Sequence, residues 1–195
     1  MLATTIRDRS LVIRPSTEAD VPAMVAIYSH HIARGIGDLG AYEVEGIDAE
    51  DLKRRRRNMR QKRLPHLVAA LDGEVAGYAY AVPFRKRPAY RYTLKHSIYI
   101  HPERTGMGIG GLLLPALVEA CAAGGYRQMI GYIDGANAAS LRLHERCGFR
   151  QVGVLPAVAF KFGHWSDSVM VQRALGEGDG SAPAPLPGRH GGTSH

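Results

Sequence analysis

His101-Pro-Glu-Arg-Thr-Gly-Met-Gly-Ile-Gly-Gly111 decides the reading of this sequence: its four glycines fall between a strand and a helix. Upstream, Thr93 to Ile100 is rich in β-formers and is closed by Pro102. Downstream, Leu112 to Ala123 reads as a helix that ends at Gly124-Gly125. Glycines at 106, 108, 110 and 111 let the backbone turn sharply and approach a ligand closely. They also aim unpaired N–H groups outward at the positive end of the helix dipole, which makes a phosphate cradle. A tight turn alone needs fewer glycines.

Three nucleotide-type ligands use such a loop. A P-loop requires Gly-Lys-Ser/Thr, and none follows here. Gly106, Gly108 and Gly111 satisfy G-x-G-x-x-G, and Asp134 lies 23 residues further on at a strand end, as a dinucleotide site demands. That fold needs several parallel βαβ units, whereas His66 to Leu71 and Val75 to Val82 read as an antiparallel hairpin around Asp72-Gly73. The third ligand is coenzyme A.

Outward from this centre, Leu11 to Arg14 reads as a short strand. Thr17-Glu-Ala-Asp20 has the form of a capping box opening an amphipathic helix to about Arg34, ended by Gly35 and Gly37. A loop to Ile47 leads into a helix with Asp48 as N-cap and Pro65 beyond its end. Gln128 to Ile133 is a strand and Ala138 to Arg146 a helix ending at Gly148; Gln151 to Leu155, Ala159 to Phe162 and Val169 to Arg173 are short strand candidates. From Gly176, nine of the last 20 residues are Gly or Pro. The expected organisation is one domain over residues 1–175 and a disordered tail over 176–195.

With 195 residues, 45% hydrophobic and 22% charged, the composition is that of a globular chain and excludes collagen-like or wholly disordered classes. No apolar run approaches the roughly 20 residues of a membrane span, and the N-terminus lacks a secretory apolar stretch, so the expectation is a cytoplasmic protein without a membrane partner. Cys121 and Cys147 have no metal-ligand spacing, and His30-His31 point about 100° apart on a helix, so no metal site is indicated. The net charge of +7 is concentrated: Lys53 to Arg63 holds 8 of the 25 basic residues, leaving 17 against 18 acids elsewhere. Without aromatic interleaving, this run reads as a solvated face or anion-attracting rim in preference to a nucleic-acid site.

Four separated motifs in register, IRPSTEADVPAMVAIY, YTLKHSIYIHPERTGMGIGGLLL, NAASLRLHERCGF and AFKFGHWSDSVMVQ, make the chain resemble the GNAT superfamily of N-acetyltransferases, within it the phosphinothricin and methionine sulfone acetyltransferase-like group. The resemblance covers about Leu11 to Leu175. It implies an α/β GNAT fold, with a central mixed, mostly antiparallel sheet of about seven strands flanked by helices on both faces. It implies acetyl-CoA as co-substrate, no metal, a small-molecule amine acceptor and a homodimer. Ile98, Tyr99 and Ile100 would pair with the pantetheine arm, Thr105, Gly106, Met107, Gly108, Ile109 and Gly110 would hold the pyrophosphate, and Asn137 would contact the coenzyme near the pantetheine. Phe84, Arg85 and Lys86 would face the acceptor.

Acetylating an amine requires removing a proton, stabilising an oxyanion and protonating the leaving thiolate. A backbone N–H near Tyr99 is the expected oxyanion donor. Where the group usually carries Thr-Val-Glu, this chain has Thr93-Leu94-Lys95, so the usual carboxylate base is replaced. Lys95 reads as a desolvated base, as a cation for a substrate carboxylate or phosphonate, or as the mark of a lost activity. The second reading is preferred, since serving as base needs a pKa depression of about three units. His96 is a candidate base on the opposite face of the strand, and His144 a candidate acid where many superfamily members place a tyrosine. Thr105 stands where many members carry Arg or Gln. Two rival functions fit the same residues: a nucleic-acid or ribosome-associated protein using the basic helix, and an acetyl-CoA-binding sensor without turnover.

Overall fold

The computed structural model describes residues 1–33 and 48–186. The expected helix end at Gly35 and Gly37, the loop to Ile47, and residues 187–195 of the expected tail lie outside the described residues. A hairpin of β1 (Leu2–Ile6) and β2 (Arg9–Pro15) opens the chain. Its turn residues Arg7 and Asp8 have φ of 48° and 63°, the mirror-image geometry that suits the twist of paired strands. Neither is a glycine or asparagine, which is why β1 has no signal in the sequence. The capping box forms as a short 3₁₀ turn, in which Asp20 accepts from Thr17 and takes both Nη atoms of Arg14 at 2.7 Å. α1 (Val21–Ala33) follows.

The basic helix is α2 (Ala49–Gln61), capped by Asp48 accepting from the Asp51 N–H at 2.7 Å. Several of its cations are already engaged: Lys53 with Glu50, Arg54 with Asp51, and the buried Arg56 with the Ser16 carbonyl. The Asp72-Gly73 hairpin joins β3 (His66–Leu71) to β4 (Glu74–Pro83), and β5 (Thr93–Ile100) pairs antiparallel with β4. α3 (Ile109–Ala123) begins three residues earlier than the apolar pattern indicates, because the end of the glycine loop forms its first turn. Then come β6 (Gln128–Asp134), α4 (Ala138–Arg146), β7 (Arg150–Lys161) and β8 (His164–Ala174). β7 is one strand with bulges at Gln151/Gly153 and Leu155/Ala159, the second at the gap that separates two strands in the sequence reading.

The described residues form one eight-stranded sheet in the order β1-β2-β3-β4-β5-β6-β8-β7, antiparallel except for β5 with β6. Helices cover both faces, as expected. α3 packs over a large core that includes Leu11, Leu71, Leu94, Leu113, Leu117 and Met129. α1 and α2 close a smaller aromatic core of Tyr28, Tyr78 and Tyr99 with Met24 and Ile27. Residues 176–186 depart from the expected disorder, because Leu186 is buried in the larger core and Glu177 pairs with Arg127. No described helix is long and apolar enough to cross a membrane.

On the α1–α2 face, His66 is 7% exposed, stacked on Tyr78 and Tyr80, and neither ring nitrogen has a hydrogen-bond partner among the described residues. Burial, with the nearby Arg56 cation, lowers its pKa to about 4. The unfolded chain therefore binds a proton near pH 6.5 that the folded chain refuses until about pH 4. This contribution to stability is complete above pH 6.5 and is lost as pH falls towards 4. His66→Phe is expected to remove about 2 kcal/mol of the stability difference between pH 7 and pH 5, measured by urea unfolding of both chains.

Candidate active site

β5 and β6 pair in parallel only through Thr93↔Gln128, Leu94↔Met129 and Lys95↔Ile130, although β5 continues to Ile100 and β6 to Asp134. Beyond Lys95 the strands part. Antiparallel bonding to β4 alternates along β5, and the bond from the His101 N–H to the Ala76 carbonyl at 2.9 Å fixes its phase. Ser97 and Tyr99 exchange bonds with β4, so the backbone groups of Ile98 and Ile100 turn towards the space that β6 has left. The Ile100 carbonyl takes Nε2 of His31 at 2.8 Å, which ties the end of α1 to the open edge. The Tyr99 N–H itself is directed at β4, and the donors near it that face the opening are those of Ile98 and Ile100.

The opening leads into a cavity of about 1010 Å³ lined by Ile98, Tyr99, Ile100, Thr105, Gly106, Gly108, Ile109, Gly110 and Asn137, nine of the residues expected to hold a coenzyme. Met107 is the exception, its side chain lying against the core. Gly106 and Gly108 have φ of 73° and 84°, a left-handed backbone that side chains disfavour. A Cβ added at either meets no atom within 4 Å among the described residues, so the glycines leave room for a ligand and not for neighbouring protein. Gly108 caps α3 without a side chain, so the first N–H groups of the helix face the cavity mouth. Arg104 also lines it, a cation two residues before Gly106. Asn137 caps α4, its Oδ1 accepting from the Ser140 N–H at 3.0 Å, which leaves its amide N–H₂ for a ligand. A cradle for anionic groups, an open strand edge for amides and this volume together fit acetyl-CoA.

At the base of the opening His96 and His144 meet, Nε2 to Nε2 at 3.0 Å. They are 5% and 3% exposed, and both rings pack on Phe149. Nδ1 of His96 donates to the Ile130 carbonyl at 3.0 Å; Nδ1 of His144 lies 2.7 Å from the Ser140 carbonyl and 3.3 Å from its hydroxyl. Burial lowers both pKa values, so the pair is neutral at pH 7. A residue that the sequence reading missed makes room for it: a Cβ at Gly131 would stand 2.8 Å from Cε1 of His96 and 3.0 Å from Val171. The signal available was a glycine inside a strand, which marks a close approach.

Lys95 lies opposite Val82 and on the α1–α2 face, with Ser97 and Tyr99 beside it along the strand. No bulge interrupts β5, so Lys95 and His96 point to opposite faces, as alternation requires. The turn Phe84-Arg85-Lys86 stands outside the cavity at the same end of β5 as Lys95, with the Arg85 guanidinium 5.1 Å from the rings of Phe84 and Tyr90. Asp134, the acidic residue that a dinucleotide site would use on a ribose, is bound to Lys161 at 3.1 Å.

Residues 33–149 match the model of the acetyltransferase (GNAT) family. The chain belongs to this family. It is 44% identical, over 88% of its own length and 86% of the relative's, to a phosphinothricin N-acetyltransferase of Alcaligenes faecalis. It is 32% identical, over 86% and 96%, to an L-methionine sulfoximine/L-methionine sulfone acetyltransferase of Salmonella typhimurium. The crystal structure of a GNAT superfamily phosphinothricin acetyltransferase from Sinorhizobium meliloti in complex with acetyl-CoA superposes with a TM-score of 0.84 at 38% identity, covering 89% of this chain and 93% of that one. The protein is thus a GNAT N-acetyltransferase with acetyl-CoA as its co-substrate.

Gly108→Val adds a strained side chain to the cradle, at a backbone cost of about 1–2 kcal/mol. The expected outcome is an acetyl-CoA affinity lowered about tenfold or more by calorimetry, with melting lowered by only a few degrees. Unchanged affinity would mean that the loop does not hold the coenzyme.

Proposed function

We propose that this enzyme transfers the acetyl group directly to the amino group of a small anionic amino acid or analogue, of the phosphinothricin, methionine sulfone or methionine sulfoximine type. The observation that carries the reading is the division of β5: backbone donors and a histidine pair lie on the coenzyme side, and a lysine lies on the other face of the same strand. The acceptor classes named for the two curated relatives support it.

Bound acetyl-CoA supplies a thioester carbonyl; the acceptor nitrogen attacks it, the C–S bond breaks, and an amide and a free thiol result. The ammonium of the acceptor must first lose a proton, and the leaving thiolate must gain one. In this reading His96 and His144 take the first proton and return one to the sulfur, so the pair ends each turnover as it began, and the second proton that leaves the nitrogen as the amide forms is released to solvent. The N–H groups of Ile98 and Ile100 hold the developing oxyanion. Lys95 holds the acceptor's carboxylate or phosphonate, a role suited to a compact ammonium on a flexible stem, and Phe84, Arg85 and Lys86 border its approach.

The reading is tested by coenzyme A release with phosphinothricin, methionine sulfone, methionine sulfoximine and common amino acids supplied singly. Turnover is expected with at least one of these; bound acetyl-CoA without release on any of them would contradict it. Lys95→Met is expected to raise KM for the acceptor about tenfold with kcat changed less than threefold, whereas a selective fall in kcat would give Lys95 a chemical role.

A homodimer belongs to the same proposal. β7 ends the sheet with Val152, Val154, Leu155, Val158 and Phe160 exposed, and Trp165 beside them is 63% exposed, an apolar edge suited to a second copy. Sedimentation is expected to give a dimer that Phe160→Asp converts to monomer.

A further inference from the structure

Each of the four nitrogens of the histidine pair has a partner. His96 Nδ1 faces the Ile130 carbonyl, which only accepts, so that nitrogen carries its proton and His96 Nε2 is a lone pair. The neutral pair has two protons for three contacts that each call for one; with the second between the Nε2 atoms, on His144, Nδ1 of His144 is left as a lone pair that needs a donor. That nitrogen faces a single residue, Ser140, in two ways: the hydroxyl at 3.3 Å and the carbonyl at 2.7 Å. Ser140 also lines the cavity.

We propose that Ser140 is the positioning residue through which protons enter and leave the His96–His144 pair, an inference that rests on the reading of this pair as the enzyme's proton acceptor. In the neutral pair the Ser140 O–H donates to Nδ1 of His144. When the acceptor's ammonium gives up a proton, the serine oxygen receives it, directly or through one water, as its own proton passes to Nδ1. The hydroxyl is unchanged in sum, the pair gains one positive charge, and the new Nδ1–H finds the Ser140 carbonyl already within hydrogen-bond distance. Reversal of the same path delivers the proton to the thiolate. Burial opposes the charged pair, while the carbonyl favours it.

Other charged groups leave this path open. On α4, Arg142 and Arg146 are exposed and line the cavity, and the Cys147 thiol is kept neutral by burial. From β8, Arg173 is bound to the Cys147 carbonyl; from β6, Asp134 is paired with Lys161. Cys121 on α3 is a buried neutral thiol, and Lys95 of β5 faces the other side of the sheet.

The test compares Ser140→Ala, Ser140→Thr and His144→Gln for acetyl-CoA affinity by calorimetry and for kcat and kcat/KM across pH. Ser140→Ala removes the donor to the neutral pair, so the pair holds a proton more readily. The expected result is a kcat about tenfold lower, an acid limb of kcat/KM moved to higher pH, and acetyl-CoA affinity within threefold of the parent, with Ser140→Thr restoring both rate and limb. A parental pH profile for Ser140→Ala, or a lowered kcat without movement of the limb, overturns the role of Ser140. His144→Gln separates the underlying reading: if it keeps the parental rate and acid limb, the pair is not the proton acceptor at all.

Discussion

The parting of β5 from β6 after the Lys95↔Ile130 pair is the constraint on which the rest of the site depends. A parallel pair that stayed closed would satisfy the inner edge of β5 with backbone partners and leave no opening. Because pairing stops after three residues, the amides of Ile98 and Ile100 face a cavity, and His31 takes the Ile100 carbonyl. The same parting admits two imidazoles at the fork, and Gly131 gives them room on the β6 side. Downstream, the glycine loop turns the chain into α3 so that the helix's free N–H groups face the same cavity.

The fork carries a cost. Among the described residues three histidines are buried, His96 and His144 at the fork and His66 on the α1–α2 face, and each is held neutral against the charge it would carry in acidic water. Among the described residues His66 has no hydrogen-bond partner at either nitrogen, whereas His96 and His144 have theirs in each other, in the Ile130 carbonyl and in Ser140. A buried polar chain of this kind keeps its geometry only while all its members are satisfied. Packing of both rings against Phe149 and the absence of a side chain at Gly131 fix the rings where those bonds form.

Much of this was legible in the residues. The glycine spacing at 106, 108, 110 and 111, the Asp72-Gly73 turn, the Asp48 cap and the alternation that sends Lys95 and His96 to opposite faces follow from local rules, and the structure agrees with them. What escaped depended on tertiary context. β1 turns through Arg7-Asp8, a pair with no turn signature, and Leu186 joins a core that a Gly/Pro-rich segment gives no reason to expect. The partnership of His96 with His144 links residues 48 positions apart, and only the fold brings them within 3.0 Å. Which amides near Tyr99 face the opening, those of Ile98 and Ile100, depends on where β4 begins its bonds with β5, and no local rule gives that phase.

The most direct test of the fork is amide hydrogen exchange, followed by NMR at Ile98 and Ile100 with and without acetyl-CoA. Both amides are expected to exchange faster than those of Ser97 and Tyr99 in the free protein, and to slow by about tenfold or more when the coenzyme is bound. Equal protection of all four amides in the free protein, or protection at Ile98 and Ile100 unchanged by saturating acetyl-CoA, would contradict the account.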